Sequence, residues 1–287
     1  MNLNQHHKNV ISYFKESKWG YDIVLGGVKH FGYYPDGINN ISEKKAQDIM
    51  QDLLAERLDI RDNQLILDAG CGQGFVSIYL AKKHDCKIIG ITIVPFEIEK
   101  AKKLAEKQKV SSKIEYRLMD YSNTTFKDNE FDTIYAMESF VHSPDANTTL
   151  KEFFRILKPG GKLAIFDYTI SKDNEFSSND KKIWDIIVKR TAMGSIKMMR
   201  HDSFTNLLKK TGFESVTGEN ISEKVHSSMK KLNRLAKIPY IFVNFFKLHK
   251  HFINVTAAIE VYKIAKKGLF RYNIFTAKKP RSRKSHK

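Results

Sequence analysis

The sequence has little cysteine and no long apolar run, and each absence excludes a class of protein. Two cysteines in 287 residues cannot form a disulfide framework, which favours a reducing compartment, so we expect a cytoplasmic protein. Residues 1–7 contain no apolar core, so we expect no signal peptide. No run reaches the roughly 18 apolar residues that a membrane-spanning helix needs. The nearest candidate, residues 238–248, is too short and is interrupted.

Acidic residues are also scarce relative to basic ones. The chain has 32 Asp and Glu against 49 Lys and Arg, a net charge of +17. This excess favours an anionic substrate, a nucleic acid or an anionic membrane surface as a partner, although the lysines could equally cover solvated faces. Residues 278–287 hold six Lys or Arg and no acid, and we expect this tail to be disordered. With 41% hydrophobic residues, the chain can build the core of one large domain.

Glycine is infrequent, yet three glycines alternate in one short segment. The apolar run 65–67 predicts a buried strand, and residues 75–82 predict a helix. A turn of this kind brings backbone N–H groups close to a ligand. A nicotinamide dinucleotide fingerprint would need glycine where the chain has Phe75, which disfavours that ligand. A glycine-rich turn without a ligand remains the alternative. The segment reads Asp68, Ala69, Gly70, Cys71, Gly72, Gln73 and Gly74.

Strands and helices alternate through the first 170 residues. A helix capped by Ser42 is predicted to run to about residue 58. The Lys-Pro-Gly-Gly segment at 158–161 predicts a stop and a turn. This alternation predicts an α/β fold with a mostly parallel sheet and helices on both faces. The predicted strands are 65–68, 87–93, 114–119, 131–137 and 162–168, and the predicted helices are 74–83, 95–108 and 146–157.

The pattern changes beyond residue 170. Helices are predicted over 180–193 and 202–211, the latter with Asp202 as a candidate cap, and strands over 212–219 and 269–277. A long helical segment, basic and rich in aromatic residues, separates these two strands. We therefore expect one domain over residues 1–277. It would comprise an N-terminal arm and helix over 1–60, where residues 1–40 show no clear period, and a helical cap inserted over 221–268.

Polar residues stand at the carboxyl ends of the predicted strands, where ligands bind in such sheets. Two of them have a purely structural alternative to ligand binding. Glu97 could be a first-turn acid that the helix dipole stabilises, and Asp120 could be a turn residue. A histidine beside a carboxylate at a strand end is a candidate proton acceptor, although a lone histidine is more often structural. The candidate residues are Asp68, Thr92, Glu97, Asp120, Tyr121, Glu138 and His142.

Several of these segments resemble one family. The Asp-x-Gly-x-Gly-x-Gly segment resembles motif I of the class I S-adenosylmethionine-dependent methyltransferases. Residues 90–97 resemble the Gly-Ile-Thr segment of the sterol, tocopherol and cyclopropane-fatty-acid-type members, with Glu97 in place of a glutamine and Val94 in place of a serine. Residues 138–145 match their Glu-Ser-x-x-His-x-Pro-Asp pattern, and residues 30–34 resemble their His-x-Gly-Tyr segment. The resemblance covers residues 10–278.

The resemblance implies a Rossmann-like, doubly wound sheet of seven strands, with S-adenosylmethionine as the cofactor and no metal. Tyr33 would meet the methionine carboxylate of the cofactor, unless it is an aromatic plug on the core. Glu138 and His142 would act on the methyl acceptor. The other implied cofactor residues are the loop residues Asp68, Gly70, Cys71, Gly72 and Gly74, the ribose site Thr92, Ile93 and Glu97, the adenine site Asp120 and Tyr121, and Met137.

The predicted cap suggests the nature of the acceptor. Aromatic side chains over a pocket favour an apolar acceptor, and lysines favour an anionic group or peripheral membrane contact through cap and tail. The same aromatic residues could be plain core. The implied reaction is methyl transfer to a small hydrophobic or amphipathic molecule, such as an isoprenoid, sterol, quinone or lipid. Two alternatives stay open: an RNA methyltransferase, which the missing Asn-Pro-Pro-Tyr-type segment disfavours, and a non-catalytic binding protein of the same fold.

Overall fold

The computed structural model of this chain describes residues 3–24, 27–38, 41–249 and 252–281. It contains one seven-stranded sheet of order β3-β2-β1-β4-β5-β7-β6. The strands are β1 (Leu65–Ala69), β2 (Lys87–Thr92), β3 (Ile114–Leu118), β4 (Phe131–Met137), β5 (Leu157–Ile170), β6 (Glu214–Asn220) and β7 (Phe270–Lys278). The first five strands pair in parallel, and β7 lies antiparallel between β5 and β6. The predicted α/β class and the mostly parallel seven-stranded sheet are confirmed.

Nine α-helices connect or flank the strands in the described part of the chain. They are α1 (Leu3–Val24), α2 (Glu43–Leu58), α3 (Phe75–Lys83), α4 (Pro95–Lys107), α5 (Ala146–Ile156), α6 (Ser178–Arg190), α7 (Phe204–Thr211), α8 (Ser222–Phe245) and α9 (Ile253–Lys266). Ser42 caps α2 as predicted, since its side chain accepts a hydrogen bond from the backbone N–H of Lys45.

Central strands are buried, which explains their continuous apolar sequence. Ile66 and Leu67 of β1 are fully buried, as are Ile134 and Tyr135 of the neighbouring β4. By contrast β6, at one edge of the sheet, is mostly exposed. The core therefore lies around β2, β1, β4 and β5. It fixes the carboxyl ends of these parallel strands side by side at the same end of the sheet.

Three predicted boundaries differ from the structure. Residues 3–24, expected to lack a period, form the helix α1. Strand β5 begins at Leu157 instead of 162, and its pairing with β4 shifts register between Phe131 and Thr133. The predicted turn at 158–161 is thus an irregular start of the strand, with Gly160 at a φ of +79°. The predicted helical segment of the cap is two helices, α8 and α9.

The cap and the tail take the following positions. Residues 221–268, predicted as a cap, lie between the adjacent antiparallel strands β6 and β7. Strand β7 extends through Lys278, and Lys279 exchanges backbone hydrogen bonds with Gly160 and Gly161. The tail predicted to be disordered from residue 278 is therefore part of the sheet at its start. Its remainder, 282–287, lies outside the described residues.

Candidate active site

A pocket lies at the carboxyl ends of β1 to β4, and we call it the strand-end pocket. The sheet order β3-β2-β1-β4 brings these ends together although they are far apart in sequence. Twelve of the fourteen residues predicted for the site line this pocket. They are Asp68, Gly70, Cys71, Gly72, Thr92, Ile93, Glu97, Asp120, Tyr121, Met137, Glu138 and His142.

The other two predicted residues, Tyr33 and Gly74, lie outside the wall of the pocket. Tyr33 packs against the core, and its backbone N–H donates to the carbonyl of Ala46. Gly74 precedes α3 with a φ of +81°, and a Cβ there would collide with the hydroxyl of Tyr116. Gly74 therefore lets β3 pack closely against the loop.

At the two remaining loop glycines, Gly70 and Gly72, a side chain would meet different surroundings. A Cβ at Gly70 would collide with the side chain of Ser139, which donates a hydrogen bond of 2.6 Å to the carbonyl of Ala69. Gly72 has a φ of +51°, and the nearest atom to a Cβ there would be Cδ of Lys29, at 4.0 Å. Gly72 therefore faces the open pocket, and a side chain at this position would enter the space of a ligand.

The acid at the end of β2 is buried and paired. Glu97, only 2% exposed, accepts a 3.1 Å hydrogen bond from the hydroxyl of Thr92 and forms an ion pair with Lys29. The ammonium of Lys29 also lies 4.4 Å from the ring centre of Phe14. A carboxylate in the first turn of α4 also benefits from the helix dipole. Thr92 and Glu97 thus place adjacent oxygens in the wall of the pocket.

The acid that follows β3 has two partners. Asp120 accepts hydrogen bonds of 2.7 Å from the backbone N–H of Ser122 and of 2.8 Å from Nε2 of His7. Tyr121 lies beside it, and its hydroxyl donates to the carbonyl of Ser139 at 2.7 Å. Asp120 therefore stabilises a turn by accepting the Ser122 N–H, as the alternative interpretation states. It also lines the strand-end pocket.

Helix α1 contributes a wall that the sequence interpretation missed. Its pocket-facing residues recur at helical spacing, which was the available signal. Lys29 and His30 of the following arm also line the pocket. The wall residues from α1 are His6, His7, Val10, Tyr13 and Phe14.

Asp68 is a buried acid of the pocket, only 3% exposed. Burial raises the pKa of its carboxyl to about 7, against the opposing effect of the Tyr135 and Ser77 hydroxyls. Its Oδ2 is buried and makes no hydrogen bond of standard geometry to any described residue. A buried polar atom left in this state is costly unless a donor reaches it. Asp68 is thus able to accept a donor from a ligand or a water molecule.

Glu138 is held in an unusual backbone conformation. Its φ is +50°, a left-handed value that a non-glycine residue rarely adopts. Its carboxylate accepts a 2.7 Å hydrogen bond from the backbone N–H of Phe31 and another from the hydroxyl of Tyr168. Burial raises the pKa of Glu138 to about 8, although these hydrogen bonds lower it. At neutral pH the group is therefore mostly protonated, and its strained backbone points to a functional site.

His142 is more deeply enclosed than its predicted role assumes. Its ring packs against the rings of Tyr13 and Phe14, with centroids 5.7 and 5.1 Å apart. Burial lowers the pKa of His142 to about 4, in place of the near-neutral value expected from the sequence. Its Nδ1 is buried without a hydrogen-bond partner among the described residues. The lowered pKa favours the neutral imidazole and makes it a weaker proton acceptor than the sequence predicts.

A second, mostly apolar cavity adjoins the strand-end pocket, and we call it the apolar cavity. It lies between the arm and the cap helices α8 and α9. Its apolar wall includes Met229, Leu232, Leu235, Ala236, Pro239, Val255, Val261 and Phe270. Six residues border both spaces: Tyr13, Lys29, His30, Glu138, Tyr168 and Met193. The two spaces thus meet at Glu138.

The described residues offer neither a metal site nor a membrane-spanning helix. Among them, no group of three or more His, Cys, Asp or Glu side chains could hold a metal ion. None of the helices in the same segments is long and apolar enough to cross a membrane.

Comparison with known proteins gives the family. A family described as "Methyltransferase domain" matches residues 67–165, which includes the glycine loop and the ends of β1 to β4. The chain is 28% identical to the S-adenosyl-L-methionine-dependent Diels-Alderase iccD of Talaromyces variabilis, over 93% of this chain and 92% of that protein. It is 30% identical to the sterol 24-C-methyltransferase of Saccharomyces cerevisiae over 75% of this chain.

The relatives differ in length but share the fold. The chain spans 54% of the yeast sterol methyltransferase, so about half of that protein has a counterpart here. The cyclopropane synthase MmaA2 of Mycobacterium tuberculosis matches this chain with a TM-score of 0.79 at 16% identity. The match covers 97% of this chain and 100% of that one. At this identity the likeness concerns the Rossmann-like fold. Residues 67–165 are thus a methyltransferase domain, and the chain has the Rossmann-like fold of the class I methyltransferases, which use S-adenosylmethionine.

Proposed function

We propose that the protein transfers a methyl group from S-adenosylmethionine to a small hydrophobic acceptor bound in the apolar cavity. The observation that carries this proposal is the common wall of the two spaces. A polar pocket at the strand ends and an apolar cavity under the cap meet at Glu138, Tyr168 and Lys29. A methyl donor and an apolar acceptor need such neighbouring sites, because the reaction depends mainly on holding both groups in line.

The residues of the strand-end pocket suit S-adenosylmethionine. Gly72 leaves open space beside the loop, and the loop leads into the amino end of α3, where a carboxylate is favoured. Thr92 and Glu97 offer oxygens to the ribose hydroxyls. Asp120 offers a carboxylate to the amino group of adenine, and Asp68 offers an unpaired oxygen to the ammonium group. Tyr33, outside the pocket, has no part in this assignment.

The cofactor supplies an electrophilic methyl group on a sulfonium. The protein therefore needs only to align the methyl donor with the acceptor and to exclude water from both. Helix α1 and the arm close one side of the pocket with Tyr13 and Phe14, which excludes water. Glu138 is the group that we propose meets the acceptor, because it borders both spaces. Once ionised, it can take a proton from the acceptor, and Tyr168 holds its carboxylate in place.

His142 has the weaker case as the base. It lines only the strand-end pocket, and its pKa of about 4 makes it a poor proton acceptor. We propose that it orients the wall formed by Tyr13 and Phe14, and keep proton transfer as its alternative role.

Cyclisation without methyl transfer is a second candidate function. The observation that favours it is the Diels-Alderase relative, which aligns with 92% of its own length. A cycloaddition needs an apolar cavity that folds a diene onto a dienophile, and it needs no base. The bound cofactor would then leave the site unchanged.

Product analysis separates the two candidates. The protein is incubated with S-adenosylmethionine and a panel of prenyl diphosphates, quinones, sterols and polyenes, and the products are identified by mass spectrometry. Methyl transfer adds one CH₂ to the mass and yields one S-adenosylhomocysteine per product. An isomer of unchanged mass, with no S-adenosylhomocysteine, would establish the cyclase instead. Consumption of S-adenosylmethionine only with RNA would point to the RNA methyltransferase.

Partners and location complete the proposal. The acceptor is a small molecule that is apolar and carries an anionic group, and the basic cap makes peripheral contact with membranes. Nucleic acid is disfavoured as a partner because no RNA-binding segment was recognised in the sequence. Both cysteines are free and buried, which supports a reducing, cytoplasmic location.

A further inference from the structure

One face of the cap exposes apolar side chains to solvent. Seven of the ten exposed large hydrophobic residues in the described chain lie within residues 235–252. We call the six that belong to α8 or follow it directly the apolar ridge. They are Leu235, Ile238, Ile241, Phe242, Phe245 and Phe246, with exposures from 54% to 77%. A contiguous apolar patch of this kind on a protein surface marks an interaction site.

The charge around the ridge favours one kind of partner. Residues 224–259 contain seven Lys or Arg and no Asp or Glu. The exposed side of α8 is basic at Lys230, Lys231 and Arg234, and it turns apolar from Leu235 onward. A second copy of this chain would bring the same positive charge to the ridge and would be repelled. The next acid along the chain, Glu260 of α9, accepts a hydrogen bond from Tyr240 of α8 and pairs with Lys263, and its side chain is only 12% exposed. An apolar face whose exposed charged neighbours on α8 are cations matches the surface of an anionic lipid bilayer.

The ridge is continuous with the apolar cavity. Leu235 is 54% exposed on the ridge and also lines the cavity. The next turn holds Pro239, which is exposed and lines the same cavity. The cavity therefore reaches the surface beside the ridge.

We propose that the apolar ridge enters the interfacial layer of an anionic lipid bilayer, so that the apolar cavity opens toward the lipid. An apolar acceptor then passes from the bilayer into the cavity without crossing water. The contact with the bilayer stands on the ridge and its charge alone, and the delivery of an acceptor rests on the proposed function.

Vesicle binding of the full chain, without cofactor or acceptor, tests the contact. Vesicles of phosphatidylcholine with phosphatidylserine are compared with pure phosphatidylcholine vesicles by sedimentation. Ile238→Asp with Phe245→Asp removes two ridge residues, 71% and 77% exposed, that do not line the cavity. Binding to the mixed vesicles should fall roughly a hundredfold. The matched control is Ile38→Asp with Leu118→Asp, two exposed apolar residues elsewhere, which should bind like the wild type.

A second pair of variants tests the charge. Lys230→Gln with Lys237→Gln should weaken binding to the mixed vesicles about thirtyfold. Lys103→Gln with Lys107→Gln removes the same charge from α4 and should leave binding unchanged. Wild-type protein that stays unbound with mixed vesicles would overturn the proposal. So would equal binding by the ridge variant and the wild type, or a wild-type dimer that the ridge variant breaks while vesicle binding stays the same.

These results separate the two proposals. Vesicle binding without methyl transfer to any acceptor would contradict the proposed function and leave the bilayer contact intact. Methyl transfer to a soluble acceptor without vesicle binding would contradict the bilayer contact alone. Circular dichroism of each variant confirms that the fold is retained.

Discussion

Gly72 offers the sharpest test of the glycine loop, because a methyl group there would enter the pocket without touching the protein. The nearest atom to a Cβ at this position is Cδ of Lys29, at 4.0 Å. Gly72→Ala therefore meets only the ligand. The substitution also strains the backbone, since the φ of +51° is left-handed. Gly268→Ala is the matched control: its φ is +75°, nothing lies within 4 Å of a Cβ, and it is remote from the pocket.

The two effects of the substitution have different sizes. Left-handed backbone costs alanine about 1 kcal/mol relative to glycine. Both variants should therefore lose about 1 kcal/mol in the free energy of unfolding. Forcing an extra methyl into a filled site costs about 1–3 kcal/mol. Only Gly72→Ala should pay that second cost, which corresponds to a roughly 5- to 150-fold weaker binding of S-adenosylmethionine.

Titration calorimetry with S-adenosylmethionine measures the affinity, and urea unfolding measures the stability of both variants. If Gly72→Ala binds the cofactor as tightly as Gly268→Ala, the ligand does not pass this glycine and the assignment of the loop is wrong. An affinity that falls equally in both variants would mean that lost stability, and not the methyl group in the pocket, weakens binding.

Three further predictions concern the acids and the histidine of the site. Asp120→Ala should weaken S-adenosylmethionine binding by about 1–3 kcal/mol, the cost of an unpaired polar group; an unchanged dissociation constant in calorimetry would place the adenine elsewhere. His142→Ala should lower turnover with little change in cofactor affinity and should leave the limbs of the pH–rate profile in place, because we propose that His142 orients Tyr13 and Phe14; a lost limb together with a turnover reduced by a factor on the order of 10² would instead make His142 the base. Glu138→Gln should flatten the dependence of stability on pH. The folded state of the wild type binds more protons than the unfolded state between the ordinary glutamate pKa of 4.5 and the folded pKa of about 8, so the free energy of unfolding falls as pH rises through this window. If Glu138 were fully shielded from water, the free energy of unfolding would fall by about 5 kcal/mol across this window. Because Glu138 borders two open spaces, we expect a fall on the order of 2–3 kcal/mol. Parallel stability–pH curves for variant and wild type, measured by urea unfolding, would show that Glu138 is not the group that titrates.

The strand-end residues could be predicted because the geometry of a parallel sheet is simple. Once the strands are identified from apolar runs, their carboxyl ends must meet at one edge. Thr92, Asp120 and Glu138 follow from that rule alone, and the structure brings them to one pocket. Their pKa values could not be predicted in the same way. The pKa of about 4 for His142 arises from burial. The rings of Tyr13 and Phe14 pack against His142, and both belong to a helix that the sequence interpretation missed.

Residues in the N-terminal segment were harder to place. The aromatic and histidine residues of α1 hid its period, although Val10, Tyr13 and Ser17 are spaced as on a helix face and are buried. Tyr33 was assigned to the pocket by resemblance, but its side chain packs against the core. Gly74 was assigned a ligand contact, whereas its neighbour is the Tyr116 hydroxyl. Sequence pattern gives the conformation that a glycine permits, and only packing tells which neighbour requires it.

The position of the cap in the sheet has a consequence for the evolution of such proteins. The cap leaves the sheet at Asn220, which pairs with Asn273 of β7, and the N–H of Ile221 donates to the carbonyl of Tyr272 at 2.9 Å. Both ends of the insertion therefore stand side by side on neighbouring strands. Doubling the length of such a loop costs only about 0.6 kcal/mol in closure entropy. The length of the cap, residues 221–268, can therefore change at small entropic cost. No described residue of the cap lines the strand-end pocket, so changes confined to the cap alter the apolar cavity and leave the wall of the strand-end pocket in place.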